Sequence, residues 1–284
     1  MDFVQPGIKW SGPRHNLIGR VADQLLTQTV RDRVRNLLGG AGTLESVSDW
    51  ADRLKSNPPT DAETQAFLAN PANQTHGSWH FVNLPFATTH YDPATLAEFV
   101  PSNGAFVIGK ILESANALIA PTPQLSRVNA LRWLAHLVGD MHQPNHLGCA
   151  YIDESQDPPR LVGDPQAAHG LKHDRGGNLL LMSGGTLHGF WDDKLGSATV
   201  ADVEAEATGA VDVSNVNTAV TSWVDETLRV ANDAYTGVRI VAREGEKFRI
   251  TVDHDYESRN EAHVPRQMGR AAARLAALVT ALVP

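Results

Sequence analysis

The segment Leu125–His142 constrains the fold most strongly. Its apolar residues recur at helical spacing, Ser126 stands where a helix is capped, and Pro144 stops the run. Within it His136 and Asp140 are four residues apart, so a helix puts both side chains on one face, one turn apart. An imidazole and a carboxylate so placed either share a hydrogen bond in an ordinary core or hold a divalent ion. The pair alone does not decide between them.

Helical periodicity also predicts Asn16–Leu38, ended by Gly39-Gly40, and Thr43–Lys55, stopped by Asn57-Pro58-Pro59. Further helices are expected over Ala105–Ile119, Leu187–Lys194, Ser214–Tyr235 and Asn260–Leu282. Ser78–Leu84 reads as a short apolar, extended piece ending at Pro85. Leu147–Gly185 is irregular and rich in Gly, Pro and Asp, with Asn178–Met182 as one strand of a small hairpin. A loop of roughly 40 residues is unusual in a compact domain unless it serves function. The expectation for these 284 residues, 42% of them apolar, is a single mainly α domain with a long loop and a small β-hairpin. No stretch approaches ~18 consecutive apolar residues, so no membrane-spanning helix is expected.

A formal charge of −8 argues against a protein that grips long duplex nucleic acid, but not against an enzyme that takes phosphate esters at a metal site. The 12 histidines are distributed unevenly. The His-x3-Asp spacing recurs at His188 and Asp192, directly after the glycine-rich loop. Pro144 breaks the preceding helix and lets His146 turn back toward the same point. His146, His188 and Asp192 then make a three-ligand pattern that leaves room for water, as at catalytic zinc. Asp52, on a helical face, reads alone as a solvated carboxylate. His80, in the apolar run Trp79-His80-Phe81, reads alone as a core residue. Their meaning comes from the combination.

In order along the chain, Trp10-x4-His15, Trp50-Ala51-Asp52, Trp79-His80-Phe81, His136-x3-Asp140-x5-His146 and Leu187-His188-x2-Trp191-Asp192 form a series. This series resembles the zinc-dependent single-strand nucleases: the fungal nucleases S-one and P-one, plant bifunctional nucleases and bacterial relatives. The resemblance runs from Trp10 to Lys194 and more loosely to the C-terminus. It implies a mostly helical domain over residues 10–284, of the zinc phospholipase C and single-strand nuclease type, behind a leader at residues 1–9. It also implies three zinc ions at the foot of a cleft. Asp52, His80, His136 and Asp140 would surround the first. His146, His188 and Asp192 would hold the second, and Trp10, His15 and Asp140 the third. The implied reaction is cleavage of single-stranded DNA and RNA to 5′-phosphate products, with removal of 3′-phosphates from nucleotides. Asp52, Asp140 and Lys55 would have catalytic parts, and Phe81, Asn83 and Lys55 would meet substrate. No obligate protein partner is evident.

Four departures from the family pattern matter. The family's Trp is the mature N-terminus, whereas Trp10 follows nine residues, so its nitrogen is an amide and the third zinc depends on removal of the leader. Asn83 stands where members with a base pocket carry Asp, and it can donate as well as accept. Lys55 replaces an Arg, giving a point charge without the bidentate fork. The fungal enzymes use disulfides, and the single cysteine Cys149 cannot form one internally. Relatives suggest a periplasmic or secreted location, yet Met1–Lys9 is too short and polar for a signal peptide. The related zinc phospholipases C provide the alternative reading, a lipid phosphodiesterase. They hold the second zinc through His-x3-Glu, so Asp192 favours the nuclease. Asp174-Arg175-Gly176-Gly177-Asn178 resembles the family's Gly-Gly-Asn turn, with glycines for positive φ and Asp174 or Asn178 orienting an imidazole. His142 is expected beside the cluster or at the surface. His76, His90, His169, His173, His254 and His263 fit no ligand position.

Overall fold

The computed structural model describes residues 12–283, so Trp10 and the expected leader lie outside the described residues. The fold is mainly α. In chain order its helices are α1 (Gly12–Leu25), α2 (Gln28–Leu37), α3 (Leu44–Val47), α4 (Trp50–Ser56), α5 (Ala62–Ala69), α6 (Val107–Ile119) and α7 (Arg127–His142). There follow α8 (Pro144–Leu147), α9 (Pro165–Ala168), α10 (Leu187–Gly189), α11 (Val200–Glu206), α12 (Val216–Tyr235), α13 (Tyr256–Asn260) and α14 (His263–Leu282).

Helix α7 is the axis of the molecule. The Ser126 side chain accepts from Asn129 N–H and caps it, and it packs against α1, α3, α4, α5, α6, α8, α12 and α14. From Asn129 to His142 every residue except Arg132 is buried. Trp133, Leu134, Leu137 and Val138 are fully enclosed, and each such side chain contributes roughly 1.5–3 kcal/mol of burial. That apolar anchorage offsets the cost of burying His136, Asp140 and His142 on the same helix. Trp50, Phe67, Trp79 and Trp133 pack edge-on or tilted beneath it, with neighbouring ring centroids 4.8–5.8 Å apart. The His80 ring lies against this cluster, 5.5 Å from Trp133.

Two expected helices are broken. Asn16–Leu38 divides at Leu26–Thr27, because the Thr27 hydroxyl accepts from Val30 N–H and starts a new helix. The apolar pattern runs through the break because Leu26 and Val30 both still reach the core. Thr43–Lys55 divides into α3 and α4 at Ser48–Asp49. The remaining helices match their predicted segments to within a few residues.

The stretch 147–185 holds more paired backbone than the irregular loop with one hairpin strand expected of it. Gly148–Cys149 pairs in parallel with Leu84–Pro85, the only paired part of the expected extended piece. Tyr151–Asp153 is the centre of a three-stranded antiparallel sheet with Arg160–Val162 and Lys172–His173. The expected hairpin forms between Leu180–Met182 and Gly185–Thr186. It is extended by a second hairpin, Arg239–Glu244 with Lys247–Thr251, that the helical reading of the chain had missed. No helix among the described residues is long and apolar enough to cross a membrane.

Candidate metal centre

The break between α3 and α4 has a chemical use. In a continuous helix the Ser48 carbonyl would accept from Asp52 N–H, but here both Asp52 and Arg53 N–H turn to Asp49 O. The released Ser48 carbonyl accepts the His136 Nδ1–H at 2.7 Å. This fixes the tautomer and leaves Nε2 as a lone pair aimed at Asp140 Oδ2, 3.0 Å away. His80 brings its Nδ1 to 2.9 Å from the same oxygen and 3.0 Å from His136 Nε2. Asp52, at the solvent edge of the group, lies 3.7 Å from His136 and 4.0 Å from His80. From α1, His15 stacks on His136 with centroids 4.0 Å apart and places Nε2 3.4 Å from Asp140 Oδ1. Gly139 permits this approach, since a Cβ there would sit 2.7 Å from His15 Nδ1.

Gln143 ends α7 with extended ψ, and Pro144 opens α8 as a first-turn proline, which swings His146 back into the site. His146 Nδ1 lies 3.0 Å from both His80 O and Asp140 Oδ1, so Asp140 links the two halves of the site. Its Nε2 is buried and has no hydrogen bond among the described residues. His188 stacks on His146 with centroids 5.1 Å apart, gives its Nδ1–H to Gly176 O at 2.8 Å, and faces Asp192 Oδ2 at 3.3 Å. Asp192 follows in a π-helical turn, Phe190–Lys194, and its Oδ1 accepts from Gln143 Nε2 at 2.7 Å. Arg14 clamps this turn from α1, donating to Trp191 O at 2.7 Å and to Leu195 O at 3.0 Å.

These side chains form three groups: His15, His136 and Asp140; Asp52, His80 and His136; and His146, His188 and Asp192. Within each, one potential ligand atom per residue lies within 4.8 Å of the others. The electrostatics fit a cation at each. Burial pushes the Asp140 carboxyl up, but the His136 and His146 imidazoles outweigh it and hold it well below the usual range. Burial pushes Asp192 well up despite the Gln143 bond, and the neighbouring Asp193 and Asp140 carboxylates add to the rise. Burial and neighbouring His136 push the His15 imidazole down, toward the neutral form that ligates metal. Five imidazoles and three carboxylates, without a thiolate, are a donor set suited to zinc.

Residues 10–284 match the model of the S1/P1 nuclease family. The chain belongs to that family. It is also 25% identical over 241 residues to Endonuclease 2 of Arabidopsis thaliana, covering 80% of this chain and 70% of that protein. Nucleic acid is therefore the substrate class of this S1/P1 family member and phosphodiester hydrolysis its reaction class. The family is metal-dependent, and the three groups are where its described residues could hold metal.

All eight expected His and Asp ligands are brought together, and Trp10, the ninth expected ligand, lies outside the described residues. Lys55 stands one turn after Asp52, exposed, with Nζ 3.4 Å from Gly77 O in the turn leading to His80. Phe81 and Asn83 share a cavity of ≈ 190 Å³ with Ser78, Phe99 and Asn103. Phe81 is 38% exposed, so it is not the packed core residue its apolar surroundings suggest. His142 is fully buried, which corrects the surface alternative. Its Nδ1–H donates to Val138 O and its Nε2 accepts from Arg274, so both nitrogens are engaged away from the metal groups. The other histidines stay outside the three groups: His76 packs on Phe67 and Trp133, and His90, His169 and His263 pair with Asp225, Glu98 and Asp233. In the glycine-rich turn the carbonyl of Gly176, rather than Asp174 or Asn178, meets the His188 imidazole. Sequence reasoning missed Ser48 O, Gly176 O, Gln143 and Arg14. Only Gln143 left a trace, as the residue between two helices that both bear ligands.

Proposed function

We propose that the protein is a zinc-dependent endonuclease of single-stranded DNA and RNA that leaves 5′-phosphates and also removes 3′-phosphates from nucleotides. The reading rests on the convergence of His15, Asp52, His80, His136, Asp140, His146, His188 and Asp192 from distant parts of the chain onto one buried centre. Zinc, when bound, supplies hydroxide near neutral pH and positive charge against the phosphoryl group. Asp140 joins the groups, with oxygens within 3.4 Å of four imidazoles. The carbonyls of Ser48 and Gly176 hold His136 and His188 in the tautomer that turns a lone pair inward. Asp52, the most exposed of the three carboxylates, is placed to accept a hydrogen bond from an attacking water. Lys55, beside it, meets the phosphate as a point charge. Phe81 offers its exposed ring for stacking, and Asn83 offers both a donor and an acceptor to a base edge in the same cavity. With Trp10 as the first residue, its amine and carbonyl would complete the third zinc site beside His15 and Asp140, and residues 1–9 would be a removable leader.

The test is metal content by elemental analysis, paired with assays on single-stranded DNA, RNA, a 3′-mononucleotide and phosphatidylcholine. Zinc-loaded protein should cut the first three substrates, lose activity on chelation and regain it with zinc. Zinc-loaded protein that hydrolyses phosphatidylcholine and no nucleic acid would overturn the proposal.

A further inference from the structure

The turn Asp174–Asn178 contains three successive residues with positive φ: Arg175 at 59°, Gly176 at 59° and Gly177 at 83°. The glycines are required by space. A Cβ on Gly176 would lie 2.2 Å from Asn145 O, and one on Gly177 3.0 Å from His188 N. Arg175 has no such excuse: it is the one non-glycine with positive φ among the described residues, in a turn where glycine would be at ease. Strain of this kind persists where the surroundings impose it and often marks function.

The surroundings do impose it. On one side Asp174 is buried, accepting from Tyr235 O–H at 2.8 Å and Ala150 N–H at 3.2 Å. On the other, Gly176 O holds His188. The backbone of Arg175 itself is tied down, its N–H to His173 Nδ1 and its carbonyl to Asn178 Nδ2. The side chain, by contrast, is exposed, and no ion pair or hydrogen bond among the described residues engages its guanidinium. In a chain of net charge −8, this uncommitted guanidinium is carried by the turn whose Gly176 carbonyl holds His188 of the His146, His188 and Asp192 group. Lys55, also exposed, follows Asp52 of the other ligand group by one turn, with Nζ 3.4 Å from Gly77 O.

We propose that Arg175 grips a phosphate of the nucleic acid strand next to the one being cut. The guanidinium fork suits a phosphate bidentately, and its rigid mounting lowers the entropy lost on binding. The assignment rests on the nuclease reading, and it makes Arg175 a residue that discriminates polymer from mononucleotide.

Three proteins test it: the wild type, Arg175→Gly and Arg175→Lys. Glycine relieves the positive φ, so the melting temperature should hold or rise, and folding damage cannot account for a loss. For Arg175→Gly, KM on a single-stranded oligonucleotide should rise ~10–100-fold. Hydrolysis of a 3′-mononucleotide, which has no flanking phosphate, should change by less than about twofold. Arg175→Lys should fall between the two. Zinc-loaded protein binding a fluorescent, cleavage-resistant phosphorothioate single strand should show the same weakening, with a salt slope shallower by about 0.7. Equal oligonucleotide affinity in wild type and Arg175→Gly, or equal losses on both substrates, would overturn the assignment. A zinc-loaded wild type that cuts no nucleic acid would remove the nuclease reading itself, and that arm is read without any variant.

Discussion

Gly139→Ala should empty one metal position without touching a ligand. Gly139 sits inside α7, where alanine alone would favour the helix by about 0.8–1.0 kcal/mol. The new Cβ, however, would lie 2.7 Å from His15 Nδ1 and 2.9 Å from His15 Cε1. His15 is fully buried and stacked on His136, so it has no free space to retreat into. Overpacking of this kind costs about 1–3 kcal/mol, so the net destabilisation should be roughly 0–2 kcal/mol and the protein should remain folded. The ring must still shift by several tenths of an ångström, which lengthens its 3.4 Å approach to Asp140. Elemental analysis of Gly139→Ala alongside wild type, both with Trp10 as the first residue and both carried to the same free zinc, should find one fewer zinc per chain, with the melting temperature lowered only slightly. An unchanged zinc count with unchanged activity would refute the claim that His15 is held in position by the bare α7 backbone.

Three further outcomes follow from the same geometry. Gln143→Ala removes the 2.7 Å bond to Asp192, and zinc affinity should fall ~10–100-fold with one metal lost first on titration with chelator. Phe81→Ala should lower the melting temperature only modestly, because the residue is 38% exposed, while weakening single-strand binding by about 1–3 kcal/mol in a fluorescence titration. Burial raises the Asp174 carboxyl from 3.8 to about 7 despite its hydrogen bonds. A carboxyl raised on folding stabilises the fold below its unfolded pKa, and that contribution is lost as pH rises to about 7. Denaturation of chelated protein should therefore show a stability decline over this window that is flattened in Asp174→Asn.

Much of the site could be read from the chain because its ligands are side chains with a fixed period. His136 with Asp140, and His188 with Asp192, keep the four-residue spacing that a helical turn converts into one face, and both pairs do face inward. What the sequence concealed is carried by backbone atoms. The Ser48 and Gly176 carbonyls that orient His136 and His188 have no residue letter of their own, and each becomes available only through a local irregularity, a helix break in one case and a positive-φ turn in the other. The break at Thr27 was concealed differently, since α1 and α2 bury apolar residues against the same core and so preserve the period across it. The hairpin Arg239–Thr251 did carry a signal. Ile240, Phe248 and Ile250 are buried along its two strands, with Gly245 at positive φ between them, but the strands are short and charged. The buried role of His142 depends on Arg274, 132 positions away, and no local pattern announces it.

The central claim, that these eight side chains gather metal, is tested most directly by a crystal of the zinc-loaded protein measured on both sides of the zinc absorption edge. Anomalous peaks should appear within the His146, His188 and Asp192 group and within the groups sharing His136. A map from active, zinc-loaded protein with no peak in any of these groups, or with its peaks elsewhere, would contradict the account.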